Sequence, residues 1–128
     1  KERKLNPNIA DSYILAAEVY SATKQFQKCA GEYQQAIKVR NQGADLYVKA
    51  ARCYRQSGSP DIAESMLNIA SSQESGYAEI YKEMGAIYET KSHMRAAVAS
   101  DNKYLALSPN APDQKEIEAR ILQISRGK

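Results

Sequence analysis

Tryptophan is absent from these 128 residues, and phenylalanine and histidine occur once each. Aromatic packing therefore falls to nine tyrosines, whose rings bury while their hydroxyls reach water or a partner. One histidine, His93, and two cysteines, Cys29 and Cys53, leave too little for a clustered metal centre or a disulfide framework. Glycine-rich phosphate loops, paired-cysteine metal spacings and nucleophile elbows are missing as well. The expectation is a chain with no catalysis, no metal and no cofactor, its lone histidine solvated in a loop. Apolar runs stop well short of the roughly 20 residues that a membrane-spanning helix needs, so direct membrane insertion is not expected. Charge is nearly balanced: 18 Lys and Arg against 15 Asp and Glu leave +3, too little for a nucleic-acid arm or a polybasic membrane segment.

What the chain does have is a period. Tyr13, Tyr47 and Tyr81 fall 34 residues apart, and so do Tyr20, Tyr54 and Tyr88. Small residues keep the same step: Ala17, Ala51 and Gly85 in one column, Cys29, Ala63 and Ala97 in another, Ala36 and Ala70 in a third. Pro7 and Pro109 stand 102 residues apart, three periods. Six columns in register mark a repeat protein. In the central copy Tyr47, Ala50, Ala51 and Tyr54 are spaced i, i+3, i+4, i+7, one face of an α-helix. Ser57-Gly58-Ser59-Pro60 breaks that helix, and Ile62, Ala63, Met66, Leu67 and Ala70 stripe a second one. Neither helix buries its stripe alone, so each pair needs neighbours.

This divides the chain as follows. Residues 1–9 are an N-terminal tail or the end of a preceding repeat, because Leu5-Asn6-Pro7-Asn8 is in phase with Leu107-Ser108-Pro109-Asn110. The first repeat, 10–43, has one helix over roughly 10–23 and another over roughly 26–41, the latter carrying Phe26, Cys29, Ala30, Tyr33, Ala36, Ile37 and Val39. Gly43 reads as a left-handed cap to it. The second repeat is 44–77 and the third 78–111. In the third, Asp101 stands where the others have Tyr33 and Leu67, and Tyr104 where they have Ala36 and Ala70. The two changes read as a compensated swap, with Asp101 facing water or a lysine. Residues 112–128 form a capping helix, roughly 113–125, with Ile117, Ile121, Leu122 and Ile124 on its inner side. Both cysteines occupy small buried positions and are expected to act as small hydrophobes, not in redox or metal chemistry.

The period, the Tyr–x2–[Ala/Met]–[Ala/Gly]–x2–Tyr spacing of the first helices, the small columns of the second and Pro109 resemble the tetratricopeptide repeat (TPR) family over about residues 5–111. Asp101, Tyr104 and the absence of linker prolines after the first two repeats, where Asn41 and Ser75 stand, depart from its pattern. The resemblance implies an all-α fold, an α-solenoid of three helix–turn–helix repeats plus a C-terminal capping helix. It also implies a non-catalytic scaffold or adaptor that takes a peptide or protein partner in a concave groove lined by first helices. At 100° per residue, a second stripe on each first helix lies roughly 130° from the core stripe, and the resemblance assigns it to the groove. That stripe is Asp11, Ile14, Glu18, Ser21 and Ala22, then Asp45, Val48, Arg52, Arg55 and Gln56, then Glu79, Lys82, Ala86, Glu89 and Thr90. A partner carboxylate on Arg52 or Arg55 is the expected anchor. Ile14 and Glu18 stand where relatives that grip a chaperone's C-terminal carboxylate carry basic and amide residues, so that mode is not expected. The alternatives are a self-assembling module, with weak self-association through stacked repeats, and an RNA-binding helical repeat. The strict spacing of 34 speaks against the second, and no nucleic-acid partner is expected. Pro109-Asn110-Ala111-Pro112-Asp113 resembles caps of bacterial envelope or secretion repeat proteins. The residues name no compartment.

Overall fold

The computed structural model describes residues 7–40 and 43–126. The tail expected at the start and the close of the first repeat at Asn41-Gln42 lie outside the described residues, in whole or in large part. Among the described residues the chain is seven helices and no strand. They are α1 (Pro7–Ala22), α2 (Phe26–Arg40), α3 (Ala44–Gln56), α4 (Pro60–Gln73), α5 (Ala78–Thr90), α6 (Met94–Leu107) and α7 (Gln114–Arg126). Pro7 opens α1 three residues before the expected start, and Pro60 opens α4. Proline suits a first helical turn because the N–H it lacks has no partner there anyway.

The turn inside each helix pair is built the same way. Gln25 N donates to Tyr20 O, Ser59 N to Tyr54 O and His93 N to Tyr88 O, each at 2.8 Å. This wrap-around bond closes the helix when the residue before the donor turns left-handed. Lys24 (φ 63°), Gly58 (φ 95°) and Ser92 (φ 63°) take that conformation, one in each pair and one period apart. Glycine adopts it freely; lysine and serine do so under strain.

The chain divides into two compact units, Lys1–Ser75 and Gly76–Lys128. In the first, α1 packs on α2, α2 on α3 and α3 on α4. Ala17, Ala30, Tyr33, Ala36, Ile37, Leu46 and Ala50 form its core, with Tyr13, Tyr20, Tyr47, Tyr54 and Met66 packed against it by part of their surface. The small columns let helix axes approach while the tyrosine rings fill the flanks, and fully burying a side chain such as Leu46 contributes roughly 1.5–3 kcal/mol. Gln34 Nε2 reaches across to donate to Tyr54 Oη at 3.1 Å.

Three expectations are corrected in this unit. Cys29 and Cys53 are not separate small hydrophobes: they are joined in a disulfide between α2 and α3, with Cα atoms 5.9 Å apart. Two buried columns on adjacent helices bring the sulfurs together, which a reading by column cannot see. Ile62, placed in the inner stripe of α4, is 45% exposed because it sits one position off the buried Ala63–Leu67–Ala70 line. Gly43, whose φ of 114° permits no ordinary side chain, precedes α3 and joins it to α2: Arg40 Nη2 bonds Asp45 Oδ1 at 2.8 Å around it.

In the second unit α5 packs on α6, and α6 on α7. Ile80, Ile87, Ala97, Tyr104 and Ile117 are buried there. Asp101 corrects another expectation, since it faces neither water nor a lysine. It is fully buried and accepts from Arg120 of the cap helix, Nε to Oδ2 at 2.9 Å and Nη2 to Oδ1 at 2.5 Å. Gly85 makes room for this fork. The inner face of α7 is also narrower than expected: Ile117 is buried, Ile121 and Ile124 are half-buried, and Leu122 is 54% exposed.

A candidate partner-binding cleft

A cleft of about 330 Å³ opens in the first unit between Glu18, Ser21 and Ala22 of α1, Tyr33 of α2, and Lys49, Arg52 and Cys53 of α3. Helical spacing explains who meets there. Glu18 and Ser21, like Lys49 and Arg52, are three apart and therefore share a face. Tyr33 is buried at the centre, and burial is the main cause that raises its phenol above the usual value. The Glu18 carboxylate raises it further, while Arg52 pulls the other way. The phenol thus stays protonated, a neutral donor between one acidic wall and one basic wall.

Of the stripe residues read from the sequence, Glu18, Ser21, Ala22 and Arg52 are brought together at this cleft. Asp11 and Gln56 are exposed, and Arg55 is half-buried and does not line the cleft. Ile14 packs against the core. Asp45 is engaged by Arg40 at 2.8 Å. Val48 does not line an open groove, which corrects the expectation: it is 1% exposed. Lys49 and Tyr33 line the cleft and were missed. Lys49 shares a column with Leu15 and Glu83, a mixture that hides its role, and Tyr33 was read only as core bulk.

In the second unit two of the corresponding residues, Lys82 and Glu89, are tied to Asp113 and Arg120 at and within the cap helix. Lys82 Nζ lies 2.7 Å from Asp113 Oδ2, and Tyr104 Oη donates to Asp113 Oδ1 at 2.6 Å. Glu89 lies 3.9 Å from Arg120, and Glu79 is half-buried. Asp113 also accepts at the start of α7, its carbonyl taking a bond from Ile117 N at 3.0 Å. Burial alone would raise the Asp113 carboxyl; the hydrogen bonds from Lys82 and Tyr104 more than offset this and hold it below the ordinary range. A carboxyl lowered in the folded state stabilises above its unfolded value, near 4, and loses that contribution as the pH falls through the folded value. As the pH falls below about 4, the melting temperature should therefore drop more steeply in the parent than in Asp113→Asn, as read by circular dichroism; parallel curves would refute the assignment.

Among the described residues, no group of three or more His, Cys, Asp or Glu is placed to hold a metal ion. No helix there is long and apolar enough to cross a membrane. His93 is exposed, 6.2 Å from the Tyr88 ring between centroids.

Comparison with known proteins identifies the fold. No family profile matches the chain. The TPR2B-domain complex of yeast Sti1 with pHsp70 superposes with a TM-score of 0.85 at 16% identity, covering 93% of this chain and 98% of that one. The Yersinia enterocolitica type III secretion chaperone SycD, in complex with a peptide of the translocator YopD, gives 0.82 at 11% identity, over 96% and 94%. The fold is that of a TPR domain. Human protein O-mannosyl-transferase TMTC1 is 28% identical over 94 residues, 73% of this chain, which spans only 11% of that protein. The proteins matched come from yeast, a bacterium and human, so the bacterial likeness of the cap gains no support from them.

Proposed function

We propose that the chain is a non-catalytic protein-interaction module that holds a partner segment in the cleft of its first unit. The observation that carries this is the cleft itself. Glu18 stands on one wall, Lys49 and Arg52 on the other, and the buried Tyr33 lies between them, all on a fold whose solved neighbours include peptide complexes. A partner carboxylate anchored by the guanidinium of Arg52, or of Arg55 just beyond, fits the basic wall, because guanidinium and carboxylate pair in two parallel bonds. An extended segment fits the open shape.

The test starts from a displayed peptide library panned against the intact chain. The peptides recovered should lose at least about tenfold in affinity for the Arg52→Glu, Arg55→Glu double variant by calorimetry. Unchanged affinity in a variant with parental helicity would sink the reading.

A further inference from the structure

We propose that the Cys29–Cys53 bond regulates this cleft, an inference that rests on reading the cleft as the partner site. Formed, the bond holds the wall that carries Arg52 against the floor that carries Tyr33; reduced, it frees that wall without unfolding the unit.

Position is the first argument. Cys53 lines the cleft and directly follows Arg52 in α3, while Cys29 lies one helical turn before Tyr33 in α2. The link therefore ties the two backbones within a turn of the residues that give the cleft its chemistry.

The second argument is that the fold has no need of the bond. Ala63 and Ala97 occupy the column of Cys29, and Val19 and Ile87 that of Cys53, in helices built to the same pattern with no covalent link. Leu46, Ala50, Tyr33 and Ile37 already pack α3 on α2. A covalent tie added to a contact that closes by packing controls how tightly the contact is held, not whether it forms.

The chemistry is closed. These are the only two cysteines, so exchange opens and recloses one bond and has no alternative pairing. A dithiol reductant supplies the co-reactant. Its thiolate attacks Cys53 Sγ from the cleft side and expels Cys29 as a thiolate, which takes up a proton. The second thiol of the reductant then displaces Cys53, leaving two protein thiols and an oxidised dithiol, with two electrons and two protons transferred. Both cysteine side chains are buried and Cys53 is reached along the cleft wall, so a segment seated there would shield the bond.

The experiment titrates the intact chain with dithiothreitol, counts thiols by maleimide labelling and mass, and follows melting and hydrogen exchange. The expected result is two thiols appearing with helicity retained, and a melting temperature lower by roughly 10 °C. Amide protection around Lys49–Cys53 should fall at least about tenfold, with Ala78–Leu107 unchanged. Cys29→Ala with Cys53→Val, which restores the side chains of the other columns, should reproduce the reduced state and ignore dithiothreitol. Two free thiols before any reductant, reduction only upon global unfolding, or a reduced chain with parental protection in the cleft would each overturn the proposal. No partner is needed, so failure here leaves the reading of the cleft standing, and failure of the peptide test leaves the redox measurement intact.

Discussion

Replacing Arg120 by methionine should lower the stability of the second unit by about 3–5 kcal/mol, the range for stranding one partner of a buried ion pair. Asp101 has no exposed surface, and both its oxygens accept from this one guanidinium. The hydrogen bond to Asp101 is also the main reason that Arg120 holds its proton more tightly than a free arginine, against the opposing effect of burial. Asp101→Leu should cost less, because Arg120 keeps some contact with water and with Glu89. The double variant Asp101→Leu, Arg120→Met should recover most of the loss: Leu67 occupies the same column in the preceding repeat and is fully buried there. Urea melts of the parent, the two single variants and the double close the cycle, and a coupling energy near zero would show that the pair does not act as a unit.

The second large effect is expected at Gly85. By propensity alone, alanine in mid-helix should gain up to about 1 kcal/mol over glycine, and the matching positions are Ala17 and Ala51. Gly31 in α2, with open space where a methyl would go, should follow that rule. Gly85→Ala should instead lose about 1–3 kcal/mol, the range for overpacking a filled core. Its methyl would collide with the Asp101 carboxylate and come within 2.9 Å of Arg120 Nη2. The carboxylate is fully buried and bonded at both oxygens to Arg120, so making room for the methyl means moving the whole fork. Melts of both variants decide the matter: a Gly85→Ala chain as stable as Gly31→Ala would mean that the fork yields easily.

Gly85 also shows how far the sequence could be read. The periodic tyrosines and small residues were sufficient for the helices and their pairing, since amphipathic spacing and packing size are both properties of local sequence. Helical spacing put Glu18 and Arg52 on a second stripe, and the TPR resemblance assigned that stripe to the groove; both line the cleft. What escaped depends on partners in other helices. Asp101 looked like a surface residue because Arg120 lies 19 positions on, in a helix outside the period. Cys29 and Cys53, 24 apart, each fitted a small buried column, and only the register of α2 on α3 joins them. Val48 and Lys49 are neighbours in sequence, and a wheel drawn at 100° per residue is too coarse to say which of them a rim buries. The glycine that replaces alanine in the Ala17–Ala51 column was the one visible trace of the buried fork.

The left-handed turns carry a consequence of their own. Three corners share one backbone trace, yet only the middle one has the residue that adopts it without strain. Lys24 and Ser92 are thus places where the chain holds margin in reserve: a lineage or an engineer wanting a hardier version need not touch core or cleft, only trim two side chains that jut into solvent.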